Sequence, residues 1–135
     1  ANSKIEHSTE TIVANVKQFK EKNAEKFSNM CKEESELINE SLILLKNNDL
    51  QGLSKKMSKN QEYLETIGTS NEKLRSMIDL AKKSSMGAKI TGAGGGGCII
   101  GLTDKLNVEK VIEEFKKKNY ECFSAEIDFR GVDTF

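Results

Sequence analysis

Lys89-Ile-Thr-Gly-Ala-Gly-Gly-Gly-Gly-Cys98 is the one segment of this chain whose composition demands a special explanation. Five of the six residues from Gly92 to Gly97 are glycine, with Ala93 the exception. The backbone there is free to take positive φ and to approach another surface more closely than a Cβ allows. Strand-like pieces flank the run, Ala88-Lys-Ile-Thr91 before it and Cys98-Ile-Ile-Gly-Leu102 after it, which predicts a strand–loop–strand element. Gly92, Gly94 and Gly97 formally satisfy G-x-G-x-x-G, but in a dinucleotide fold that pattern opens a helix, whose N-terminus receives the pyrophosphate. This run leads into Cys-Ile-Ile instead, and it lacks the Gly-Lys-Ser/Thr ending of a Walker A loop. Consecutive amides in such a loop can form a concave nest for an anion without any helix dipole, so a phosphate or a second phosphate-binding loop would fit against it. A flexible linker and a plain hairpin are the alternatives. Linkers usually join polar domain edges, and a plain hairpin needs only one or two glycines.

Upstream of this element the periodicity is helical. Ile12, Val13, Val16 and Phe19 recur at helical spacing behind Ser8 and Thr9, either of which can cap the first amides. Met30, Leu37, Ile38, Ser41, Leu42 and Leu45 form a second amphipathic stripe ending at the turn-forming Asn47-Asn48-Asp49. Asp49 can cap a third helix bearing Leu50, Leu53, Met57, Leu64 and Ile67, with Gly68 as its left-handed terminator. Thr69 and Glu72 fit a capping box for a fourth helix that buries Leu74, Met77, Ile78 and Ala81. Downstream, Val108, Val111, Ile112 and Phe115 mark a fifth helix. Phe123, Ala125, Ile127 and Phe129 then alternate with Ser124, Glu126, Asp128 and Arg130 as in a strand with one buried face. Helices followed by strand, helix and strand predict an α+β layer structure.

The chain has 135 residues, enough for one modest core, and residues 1–135 are read as a single domain. Its 21 basic and 21 acidic residues balance and are spread along the chain, which disfavours a nucleic-acid partner. No stretch approaches the roughly 20 apolar residues that cross a bilayer, and no signal-like N-terminus is present; the reading is a soluble, unsecreted protein. Cys31, Cys98 and Cys122 are odd in number and widely spaced, with His7 the only histidine, so neither a disulfide framework nor a zinc site is expected and a reducing cytosol fits best. Ala1-Asn-Ser-Lys-Ile5 opens without Met, as if in the middle of a strand, and suggests a fragment.

Gly87-Ala-Lys-Ile-Thr-Gly-Ala-Gly-Gly-Gly-Gly-Cys-Ile-Ile-Gly-Leu102 closely resembles the third conserved motif of the GHMP kinases, in the form that mevalonate kinases carry. The similarity extends to Asn2-Ser-Lys-Ile5 with Ser8-Thr9, to Asn60-Gln61, Leu64 and Ile67-Gly68-Thr-Ser70, and to Gly131-Val132, so nearly the whole chain is covered. The resemblance implies a GHMP kinase C-terminal domain, with helices on a small, mostly antiparallel sheet in a ferredoxin-like arrangement. It also implies that the complete enzyme transfers the γ-phosphoryl group of ATP, with Mg2+, to the 5-hydroxyl of mevalonate in isoprenoid biosynthesis. The loop Gly92, Ala93, Gly94, Gly95, Gly96 and Gly97 would then lie against the main phosphate-binding loop and the substrates. Thr9, at the family's variable Ser/Thr turn, would line the mevalonate pocket. The N-terminal half of the kinase is the implied partner, dimers are common in the family, and the location is cytoplasmic.

Departures from the complete family matter for mechanism. No Pro-x-x-x-Gly-Leu-Gly-Ser-Ser-Ala loop is present, and the family's catalytic aspartate, lysine and magnesium ligands belong to the N-terminal part. This chain therefore carries no catalytic or metal-binding residue on that reading and is expected to be inactive alone. Asp104, Asp128 and Asp133 are read as solvated structural carboxylates, Lys89 as solvent-facing and Cys98 as a small residue packed beside the loop. The competing readings are another GHMP kinase acting on phosphomevalonate, homoserine or galactose, a non-catalytic phosphate-binding module, and a structural or oligomer-forming domain.

Overall fold

A computed structural model describes residues 1–126. Five helices and two strands follow in the order α1 (Thr9–Lys22), α2 (Ala24–Lys46), α3 (Leu50–Thr66), α4 (Glu72–Ser84), β1 (Gly87–Ile90), β2 (Ile99–Leu102) and α5 (Val108–Lys117). The α+β expectation holds.

Local signals account for most boundaries. Ser8 rather than Thr9 caps α1, its Oγ accepting from the Thr11 amide at 3.3 Å. Asn23 serves both α1 and α2, as the C-cap of one and the N-cap of the other. Asp49 accepts from the Gly52 amide at 2.8 Å to start α3, and Gly68 follows that helix at φ +82°. The start of α4 departs from the capping box expected of Thr69 and Glu72. Asn71 is the cap, its Oδ1 accepting from the Leu74 amide at 2.9 Å. Thr69 instead donates its hydroxyl to the Leu64 carbonyl at 2.8 Å, closing the α3–α4 turn.

β1 and β2 pair antiparallel from Gly87 opposite Leu102 to Ile90 opposite Ile99. The N-terminal segment runs along the far edge of β2: Ile99 and Ala1 exchange N–H···O bonds, Ser3 donates to Gly97, and Asn2 bridges both Cys98 and Glu121. The open edge of β1 is covered by α3. The Ser54 hydroxyl donates to the Met86 carbonyl, and the Ile90 amide donates at 2.8 Å to Oε1 of Gln61, itself 1% exposed. An exposed strand edge invites pairing with another chain, and these side chains satisfy it from within.

The core lies where α4 and α5 meet the sheet. Leu74, Met77, Ile78, Leu80 and Ala81 from α4 pack with Ala88, Ile90, Ile99, Val111 and Phe115. The first helices differ. No residue of α1 is buried, and α2 buries only Leu37. Ile38, Leu42 and Leu45, expected on the packed stripe of α2, are more than half exposed, because α2 meets α3 along a narrower face. The strand expected beyond α5 is also absent over its described part. Residues 123–126 are irregular and Phe123 is 74% exposed, since the rung between Asn2 and Glu121 is not continued along them. Ile127, Asp128, Phe129, Arg130, Gly131, Val132 and Asp133 lie outside the described residues.

Between α2 and α3 the Tyr63 hydroxyl donates to the Glu33 carboxylate at 2.6 Å. That bond, ahead of desolvation and the nearby glutamates, raises the phenol from 10.0 to about 12. A folded-state pKa above the unfolded value means the bond's contribution is fully present below pH 10 and is lost as pH rises towards 12. Phenolate absorbance should show Tyr63 ionising near pH 12, and Tyr63→Phe should remove that step and its alkaline loss of stability. Burial sets a second expectation. In urea unfolding, Leu74→Ala should lower stability by about 2–5 kcal/mol through the cavity it leaves. Leu42→Ala, on the exposed stripe, should change it by less than about 1 kcal/mol.

Candidate functional site

The glycine loop leaves β1 at Thr91, whose amide donates to the Cys98 carbonyl at 3.1 Å and closes the neck. Gly92, Gly94, Gly95 and Gly97 take φ of +79°, +82°, +75° and +70°. Residues with a Cβ rarely adopt that conformation, so the glycines are a conformational requirement.

Two surfaces hold the loop. On one side is the α3–α4 turn, where the Gly95 amide donates to the Thr69 carbonyl at 2.7 Å and Asn71 Nδ2 donates to the Gly95 carbonyl at 2.8 Å. On the other is the N-terminal segment, where Ser3 donates to Gly97 at 2.8 Å and Gly97 donates to Ile5 at 3.3 Å. The approach is too close for side chains. A Cβ on Gly94 would collide with the Thr69 carbonyl oxygen and lie 2.8 Å from Thr69 Cβ. On Gly95 it would strike the Ile12 side chain, and on Gly96 the Ile5 carbonyl, with His7 Nδ1 at 3.1 Å. Gly92 differs, having nothing within 4 Å of that position.

Among the described residues the amides of Gly92, Ala93, Gly94 and Gly96 form no hydrogen bond. Gly92 is exposed and Ala93 half-buried, so this end of the loop faces outward, whereas Gly94 and Gly96 are buried. Amides without partners in a positive-φ backbone suit an oxyanion. Thr9, exposed in the first turn of α1, lies one helical turn before Ile12, whose side chain abuts Gly95. The fold thus brings the start of α1 to the loop.

Other sequence expectations fare differently. Cys98 is exposed rather than packed, because its backbone, not its side chain, joins loop and sheet. Lys89 is half-buried rather than solvent-facing, with Nζ donating to the Ile90 carbonyl at 3.0 Å. Burial holds its ammonium below the usual lysine range, opposed by the attraction of Glu34. Asp104 accepts from the Asn107 amide at 2.9 Å, a structural turn into α5. Among the described residues no three His, Cys, Asp or Glu side chains gather to hold a metal ion. Sequence reading missed the clamps, Thr69 and Asn71. Asn71 was detectable as an N-cap three residues before Leu74, but its second bond to Gly95 spans 24 positions and has no local signature.

The glycines separate into two kinds that thermal unfolding can distinguish. Gly94→Ala should cost several kcal/mol, since strain at positive φ of about 1 kcal/mol is compounded by collision with a backbone carbonyl. Gly92→Ala meets open space and should cost only the strain, about 1–2 kcal/mol.

Comparison with known proteins places this geometry in a family. The model of the GHMP kinases C terminal family matches residues 41–122, which hold α3, α4, the glycine loop and α5. The mevalonate kinase of Methanocaldococcus jannaschii is 37% identical over 71 residues, covering 53% of this chain and 23% of that protein. The mevalonate kinase of Arabidopsis thaliana is 26% identical over 139 residues, covering 97% of this chain and 37% of its own length. In fold, the crystal structure of L. major mevalonate kinase in complex with R-mevalonate superposes with a TM-score of 0.83 at 24% identity, over 87% of this chain and 36% of that one. The chain spans between 23% and 37% of the length of these relatives. With more than half of its residues matched, the glycine loop among them, this chain belongs to the GHMP kinase C-terminal family.

Proposed function

We propose that this chain is the C-terminal part of a mevalonate kinase, the enzyme that transfers the γ-phosphoryl group of ATP to the 5-hydroxyl of mevalonate in isoprenoid biosynthesis. The observation that carries the reading is the glycine loop, whose amides at Gly92, Ala93, Gly94 and Gly96 form no hydrogen bond among the described residues. Phosphoryl transfer needs donors fixed in advance around oxygens that carry charge, and backbone amides held by a packed turn supply them with little reorganisation. Similarity to proteins named mevalonate kinase narrows the substrate.

On this reading, residues 1–135 form one domain that supplies the loop to an active site completed by an N-terminal half. The loop positions phosphate, and Thr9, exposed at the start of α1 beside it, lines the mevalonate pocket. When bound, magnesium neutralises phosphate charge in such reactions. On this reading the metal is held by the N-terminal half together with the catalytic carboxylate. A cytoplasmic location is part of the same reading; among the described residues no helix is long and apolar enough to cross a membrane.

ATP-dependent phosphorylation of mevalonate, measured for this chain alone and mixed with a matching N-terminal kinase half, tests the proposal. Activity is expected only in the mixture. Activity of the chain alone would overturn the division of labour. A mixture of folded, associated halves that phosphorylates galactose, homoserine or phosphomevalonate in preference would transfer the reading to another GHMP kinase.

A further inference from the structure

Asn71 makes two hydrogen bonds that serve different ends. Oδ1 accepts from the Leu74 amide at 2.9 Å and caps α4, while Nδ2 donates to the Gly95 carbonyl at 2.8 Å. Capping needs only an acceptor, which serine or aspartate supplies equally well. The donor is what asparagine adds, and it is spent on the glycine loop.

A peptide unit is planar, so the Gly95 carbonyl and the Gly96 amide point in opposite directions from one rigid plate. Fixing the carbonyl aims the amide. The preceding plate is held as well, because the Gly95 amide donates to the Thr69 carbonyl at 2.7 Å. Two consecutive plates of the loop are therefore referenced to the α3–α4 turn. Gly96 N–H, on the second, is one of the amides without a partner among the described residues, although Gly96 itself is buried. Glycine has the widest conformational freedom of any residue, so four consecutive glycines, Gly94–Gly97, do not hold an orientation by themselves.

We propose that Asn71 is a positioning residue for the glycine loop, setting the direction of the Gly96 amide through the Gly95 carbonyl. Its consequence for phosphate binding rests on the kinase reading above; its consequence for loop order does not. Asn71→Ser and Asn71→Asp both retain a capping acceptor and remove the Nδ2 donor. Amide hydrogen exchange on the full chain is the first readout. Loss of one hydrogen bond should accelerate exchange at Gly95 and Gly97, which are bonded to Thr69 and Ile5, by about three- to tenfold. Leu74, still capped, should keep its protection, and the melting temperature should stay close to that of the parent chain. Unchanged exchange at Gly95 and Gly97 overturns the proposal. So does acceleration shared equally by Leu74, which would make Asn71 a helix cap alone. In the mixture with an N-terminal half, the neutral Asn71→Ser variant should raise the KM for ATP by a similar factor. A mixture in which the parent chain phosphorylates nothing defeats the kinase reading while leaving the exchange measurement to decide on Asn71.

Discussion

Contact between the Thr69 carbonyl and the backbone of Gly94 and Gly95 is the constraint around which the rest is arranged. It is a main-chain-to-main-chain contact, and it forms only if the loop bends through positive φ and carries no side chains where it touches the turn. Once made, it ties the junction of α3 and α4 to the loop joining β1 and β2. The two strands can then stay in register across a connection that would otherwise be slack. Burial of α4 against the sheet, with Leu74 and Met77 fully enclosed, follows from the same geometry, since α4 begins three residues after Thr69.

α3 has a different task. Its apolar positions are all only half-buried, whereas Ser54 and Gln61 are its buried residues. They face the edge of β1 and meet the Met86 carbonyl and the Ile90 amide, groups that in a wider sheet would pair with another strand. The helix thereby supplies partners to two main-chain groups at the edge of the narrow sheet through polar side chains.

The sequence was most legible where structure is local. Five helices, two strands and a glycine loop between them were all readable from periodicity and turn chemistry, because each is specified within a few residues. The buried face of α4 followed from spacing alone. Long-range pairing was less accessible. Nothing in periodicity distinguishes Ile38 and Leu42, which are exposed, from Leu37, which is buried; the difference lies in where α3 meets α2. Gln61 and Asn71 each place a hydrogen bond on a segment more than 20 positions away, which no local pattern announces. Lys89 and Cys98 were misplaced for the same reason. For the loop itself, composition told that the backbone must approach something closely but not what it approached.

The nature of the neighbour decides whether a glycine can be replaced at all when the surroundings are allowed to change with it. Gly95 is crowded by the end of a side chain, Ile12, so a shorter residue at 12 relieves the collision and leaves only the strain of a φ of +75°. Gly94 and Gly96 are crowded by the carbonyl oxygens of Thr69 and Ile5, which every amino acid carries alike. No substitution at 69 or 5 removes those atoms. Steric relief by a second substitution is therefore open to one position in the loop and closed to its two neighbours, a difference that follows from which atoms are made by the side chain and which by the chain itself.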